Sequence, residues 1–224
     1  MRRDGCPQLQ ECELSRTITT SVGTMLVVAL ILATGVAFAQ ERQGAPGGAG
    51  GRAGGQGRGP ATPPLIMTST AWEDGGVIPD KYTQAAGATS PNPALSWTQV
   101  PPGTQSFVLI MNDPEPSVPA KSSKGDVTHW LVWNIPASST GLPEGVMPGD
   151  LPDGTKQQSL RSNGYMGPGA GPGPYHHYTF TLYALDAKID VAASQNAADT
   201  RTALINAMDG HVLGKAILVA RFHR

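Results

Sequence analysis

The side chains best suited to chemistry stand where the chain changes character. Asp113-Pro114-Glu115-Pro116 abruptly ends an apolar run, Phe107 to Met111. Prolines give no ladder donor and fix their own φ, so two acids alternating with two prolines form a stiff corner at a strand end. His129 opens the next apolar run, which stops at Pro136. Further on, Asn163 to Tyr175 is too rich in glycine and proline for regular structure, and its backbone N–H groups suit an anion-binding concavity. Tyr175-His176-His177-Tyr178 follows directly. In a strand, His176, Tyr178 and Phe180 share one face, while His177 and Thr179 take the other. The two adjacent histidines therefore cannot ligate one ion together, whereas His176 and Tyr178 can converge on one ligand. A carboxylate, an imidazole and a rigid turn make a small polar site.

The elements that must position these residues are mostly strands. Leu65 to Trp72, Ala94 to Thr98, Ser106 to Met111, His129 to Ile135, His176 to Leu185 and Lys215 to His223 carry the β-branched, aromatic and apolar residues of buried strands. Gly75-Gly76, Ser90-Pro91-Asn92-Pro93, Pro101-Pro102-Gly103 and Leu151-Pro152-Asp153-Gly154 read as turns. One helix is expected from about Thr200 to Asp209, with Asp199 as its N-cap, Gly210 as its stop and Leu204, Ile205 and Met208 on one face. Many strands and one late helix predict a mainly β fold, a β-sandwich with peripheral helix. Its expected core includes Trp72, Leu109, Val132, Phe180, Leu182 and Leu218.

The chain has 224 residues and a net charge of −1, so no global field draws in nucleic acid or a membrane surface. Residues 1–39 read as a signal peptide: Arg2, Arg3 and Arg16 precede the apolar stretch Met25 to Ala39, and Ala37-Phe38-Ala39 fits a cleavage site before Gln40. Met25 is an alternative start. The apolar stretch is short for a bilayer span, so no stable span is expected after cleavage. The expected location is exported, periplasmic or extracellular. Both cysteines, Cys6 and Cys12, precede the cut, which leaves no thiol in the mature domain. Residues 40–64 read as a Gly/Pro-rich linker with nothing to bury, and 65–224 as the folded domain.

Together these stretches resemble the phosphatidylethanolamine-binding protein family, in its bacterial Raf-kinase-inhibitor-like branch. Asp113-Pro114-Glu115 with His129-Trp130 looks like the family's first signature. Gly171-Pro172-Gly173-Pro174 leading into His176-His177-Tyr178 looks like its second. Thr179 to Asp186 and Gly210 to Phe222 are also similar, and the likeness spans essentially Leu65 to Arg224. The resemblance implies a central antiparallel β-sandwich with peripheral helices. It implies an anion pocket of Asp113, His129, His176 and Tyr178, with Pro114, Glu115 and the loop containing Gly171 and Pro174 at its rim. Two positions depart from the family pattern: His177 replaces an arginine, and Ser117 replaces a proline.

Acids in an anion pocket make sense if a carboxylate accepts from a histidine N–H, fixing the ring's tautomer so that it can donate to the ligand. The leading expectation is an exported, non-catalytic binding domain for small phosphorylated, carboxylated or other anionic groups, such as phosphate or a phosphoryl head group, without metal or cofactor, that regulates or inhibits another protein. One alternative is a metal-dependent or acid/base hydrolase using the same Asp/His cluster. It lacks a nucleophile elbow and a close-spaced metal motif. The other is a protein-interaction module, of kinase- or protease-inhibitor kind, with a vestigial pocket. The protein partner is unknown.

Overall fold

The computed structural model describes residues 63–87, 89–116 and 125–224. The expected leader, nearly all of the expected linker and Ser117 lie outside the described residues. The chain runs through β1 (Ile66–Ser69), β2 (Gly76–Val77), two single-turn 3-10 helices (Asp80–Tyr82 and Gln84–Ala86), β3 (Leu95–Thr98), β4 (Ser106–Asp113), β5 (Val127–Pro136), β6 (Gly141–Leu142), β7 (Lys156–Gln158), β8 (His176–Leu185), α1 (Ala197–Ala207) and β9 (Val212–Phe222).

Two sheets face each other, one ordered β1-β3-β6 and the other β2-β9-β8-β4-β5-β7. All pairings are antiparallel except β2 with β9. Gly76 was expected to be purely a turn residue. Only Gly75, at φ 75°, turns the chain, and Gly76–Val77 then lie parallel to Ala220–Arg221.

Alternation along each strand sorts the side chains into two layers. Between the sheets lie Met67, Trp97, Phe107, Leu109, Met111, Val132, Phe180, Leu182 and Leu218, joined by Trp72. Trp97 meets Phe107 at 5.3 Å between centroids, and Trp72 meets Phe180 at 5.4 Å. The six residues expected in the core are all there. The opposite face of the large sheet carries Val108, Ile110, Leu131 and Trp133, covered by Leu204 and Met208 of the α1 region. Central β4 is thus buried on both faces, which is why it reads as an unbroken apolar run.

The helix begins earlier than expected. Its N-cap is Asn196, whose side chain accepts from Ala198 N–H, and Asp199 sits in the first turn, where the helix dipole favours an acid. Its buried positions are Ala197, Thr200 and Leu204, followed by Met208. Ile205 lies off that stripe and is 44% exposed.

Candidate functional site

The polar residues converge at one end of the large sheet. Asp113 ends β4 on the face of Phe107, Leu109 and Met111, and His176 and Tyr178 open β8 on the face of Phe180. β4 and β8 are antiparallel neighbours, with Asn112 opposite Thr179, so the end of one meets the beginning of the other. Simple alternation along β5 would send His129 to the helix side with Leu131 and Trp133. A bulge prevents this. Met111 pairs with Trp130 and Asn112 with Thr128, leaving His129 as the extra residue on β5. A bulge re-aims its side chain, and the His129 ring stands edge-on to Tyr178, 5.1 Å between centroids.

Asp113, His129, His176 and Tyr178 line one cavity of about 260 Å³. All four are buried. Both carboxylate oxygens of Asp113 are engaged: Oδ2 accepts from His176 Nδ1–H at 2.8 Å, and Oδ1 accepts from the Glu115 backbone N–H at 2.8 Å. The first bond places the His176 proton on Nδ1, making Nε2 an acceptor in the neutral ring and a second donor in the imidazolium. His129 Nδ1–H donates to the Met166 carbonyl at 2.9 Å. Burial pushes its pKa below the usual histidine value, against the carbonyl and the Asp113 charge, which pull the other way.

Tyr178 Oη accepts from the backbone N–H groups of Gly169 and Ala170, at 3.2 and 3.1 Å. Burial, then the charge of the Asp113 carboxylate, to which the phenol also hydrogen-bonds, push its pKa up to about 12. The glycine/proline loop thus holds the phenol, and these two of its N–H groups are not open to an anion. The loop is also pressed onto the chain beneath it. A Cβ on Gly167 would lie 2.6 Å from Tyr82 O and 2.9 Å from Thr83 Cα.

Other expected rim residues lie elsewhere. Glu115 turns to the outer face, where its Oε2 accepts from His177 Nδ1–H at 2.8 Å and His177 backbone N–H at 2.9 Å. These bonds hold the Glu115 carboxyl below its usual pKa. The pair is about half exposed, and His177 faces away from the cavity. Among the described residues, the wall uses Pro116 rather than Pro114, and Gly169 and Ala170 rather than Gly171 and Pro174.

The wall also includes Gln84 and Arg161, which sequence reasoning did not single out. Gln84 Nε2 donates to Gly167 O at 2.9 Å, and its Oε1 lies 3.4 Å from an Arg161 guanidinium nitrogen. Gln84 sits in a short 3-10 turn far away in sequence, so no local spacing marks it. Arg161 stands just before the glycine/proline stretch and was the one nearby cation that could have been noticed.

Comparison with known proteins places the chain in a defined neighbourhood. A sequence model described as phosphatidylethanolamine-binding protein matches residues 68–223. A UPF0098 protein of Methanothermobacter thermautotrophicus is 41% identical over 163 residues, covering 71% of this chain and 99% of its own. The Escherichia coli UPF0098 protein YbhB is 36% identical over 135 residues, covering 57% of this chain and 82% of its own. Among solved structures, a phosphatidylethanolamine-binding protein homologue from Chlamydia trachomatis superposes with a TM-score of 0.59 at 31% identity. That match covers 72% of this chain and 98% of the other.

Proposed function

The chain belongs to the phosphatidylethanolamine-binding protein family and has its binding-protein fold, and from that premise we propose that the histidine cavity binds a phosphoryl group or a similar small anion. The observation that carries this reading is the internal commitment of Asp113. With both oxygens accepting from protein N–H groups, the carboxylate organises donors instead of facing the ligand. Arg161 supplies a permanent cation at the wall, and the phenol of Tyr178, hydrogen-bonded to Asp113, completes the polar lining.

The His129 environment favours a shared proton. The buried ring is neutral near neutral pH, so its Nε2 accepts from a singly protonated phosphate monoester. The same proton on the ring, with a dianionic phosphate, gives the equivalent arrangement. A phosphomonoester loses its second proton near about pH 6, so binding takes up a proton above that pH. Affinity should therefore weaken as pH rises.

Binding, not turnover, suits this wall. Among the described lining residues there is no serine, threonine or cysteine to act as nucleophile, and a phenol with a pKa of about 12 stays protonated at neutral pH. Bare phosphate has few atoms to engage, and even good ligand efficiency gives roughly 4 kcal/mol, near millimolar affinity. The test is calorimetric titration of inorganic phosphate at two pH values. His129→Ala and His176→Ala should abolish the signal with the fold retained, and His177→Ala should leave it unchanged. Loss of binding in His177→Ala with retention in His176→Ala would overturn the reading.

A further inference from the structure

Beside the histidine cavity lies a second one, of about 400 Å³, lined by Gln84, Arg161, Ser162, Tyr165, Met166 and Arg224. Gln84, Arg161 and Met166 belong to both walls, so Arg161 stands at the boundary between the two spaces. The neutral polar groups of this annex are largely occupied. Tyr165 O–H donates to Tyr82 O at 2.8 Å, and burial holds its pKa well above the usual tyrosine value. Ser162 Oγ is 3.1 Å from Ser159 Oγ, and Gln84 holds Gly167 O.

What remains is cationic. Arg161 and Arg224 both line the annex, and no described lining side chain is a carboxylate. The Arg161 guanidinium makes only the long 3.4 Å contact with Gln84 among the described hydrogen bonds. Arg224 is held close by its backbone N–H, which donates to Gly171 O of the glycine/proline loop at 3.4 Å. Two arginines lining one concavity bring like charges to the same space, and an oxyanion taken up between them would offset that repulsion. A planar carboxylate matches such a fork in a bidentate manner.

We propose that the annex is a second anion subsite, and that the ligand is a small phosphomonoester whose organic part carries a carboxylate. The phosphoryl group occupies the histidine cavity and the carboxylate occupies the annex, with Arg161 touching both. This inference rests on the phosphoryl reading of the histidine cavity.

O-phosphoserine and O-phosphoethanolamine differ only by a carboxylate, so the pair isolates the annex. Calorimetric titration of the full chain with inorganic phosphate, O-phosphoethanolamine and O-phosphoserine, at one pH and ionic strength, is the experiment. O-phosphoserine should bind about tenfold more tightly than O-phosphoethanolamine, a single well-formed charged contact being worth about that much. Arg224→Gln should erase this preference while phosphate affinity stays within about twofold, which also shows that the variant folds. Arg161→Gln should weaken all three ligands. Equal affinity of the two phosphomonoesters, or a preference that survives Arg224→Gln, overturns the annex while phosphate binding still stands. Absence of phosphate binding by the unsubstituted chain overturns the histidine cavity itself, and the annex with it.

Discussion

At the scale of single residues, the site depends on which proton sits on which nitrogen. His129 illustrates the consequence for stability. Its folded pKa is depressed below 6.5 by burial, so the unfolded ring binds a proton in acid that the folded ring refuses. The stability it contributes is present above pH 6.5 and is lost as pH falls through the folded pKa. Denaturant titrations in phosphate-free buffer should therefore show stability declining from pH 7.5 toward pH 5. His129→Asn, whose amide can still donate to Met166 O, should flatten that decline; an unchanged slope would assign the acid sensitivity to other groups. Tyr178 has a double role. Tyr178→Phe leaves the Gly169 and Ala170 N–H groups without their acceptor, at a cost of about 1–3 kcal/mol, and phosphate affinity should fall as well. Equilibrium unfolding and titration of the same variant separate the two effects.

At the scale of elements, the bulge in β5 and the glycine/proline loop matter most. Phe180, fully buried between the sheets, anchors the strand that carries His176 and Tyr178. Phe180→Ala should cost about 3–5 kcal/mol in equilibrium unfolding. A loss below about 1 kcal/mol would contradict its burial. Gly167 is the tight point of the loop, because an added Cβ meets the backbone of Tyr82 and Thr83 as well as the Ser90 hydroxyl. Gly167→Ala should destabilise by about 1–3 kcal/mol, as overpacking does. It should also displace the neighbouring Met166 carbonyl that fixes His129, so phosphate affinity should fall with stability. Retained stability and affinity would show that the loop yields freely.

At the scale of the whole molecule, the fold is a frame for one sheet end. β4 and β8 bring Asp113, His176 and Tyr178 to that end, and the outer histidine, His177, is turned away to pair with Glu115. Arg201 of α1 pairs with Asp126 at 2.9 Å, and Asp126 also accepts from Asn112 Nδ2 at 2.7 Å, so the helix is tied to the strand end that carries Asp113. The proposal of export makes its own prediction. N-terminal sequencing of exported protein should give Gln40, with no thiol in the mature chain; a sequence beginning at Met1 or Met25 would remove the basis for it.

Much of this was legible in the residue order. The period-two pattern of β8 is enough to separate His176 and Tyr178 from His177, because backbone geometry alone sends alternate side chains to opposite faces. The unbroken apolar run Phe107 to Met111 likewise announces a strand buried on at least one face, and the structure shows both faces covered. Short or long-range features were not legible. β2, β6 and β7 are only two or three residues long, and pairing partners rather than propensity create them. The bulge at His129 arises from the register between β4 and β5, so a reading of β5 alone places that ring on the wrong face. Asn196 takes the cap instead of Asp199 because its side chain reaches Ala198 N–H and the helix stripe must meet Trp133 and Ile110. Glu115 lies two residues from Asp113 in the chain, yet His177 captures it on the other face. Gln84, Arg161 and Arg224 reach the cavities from three distant segments. The sequence by itself determined which long strands form and, away from bulges, which faces they bury, since those follow from local periodicity. Only the tertiary structure decided which charges meet, because that depends on register, bulges and chain crossings that no local spacing encodes.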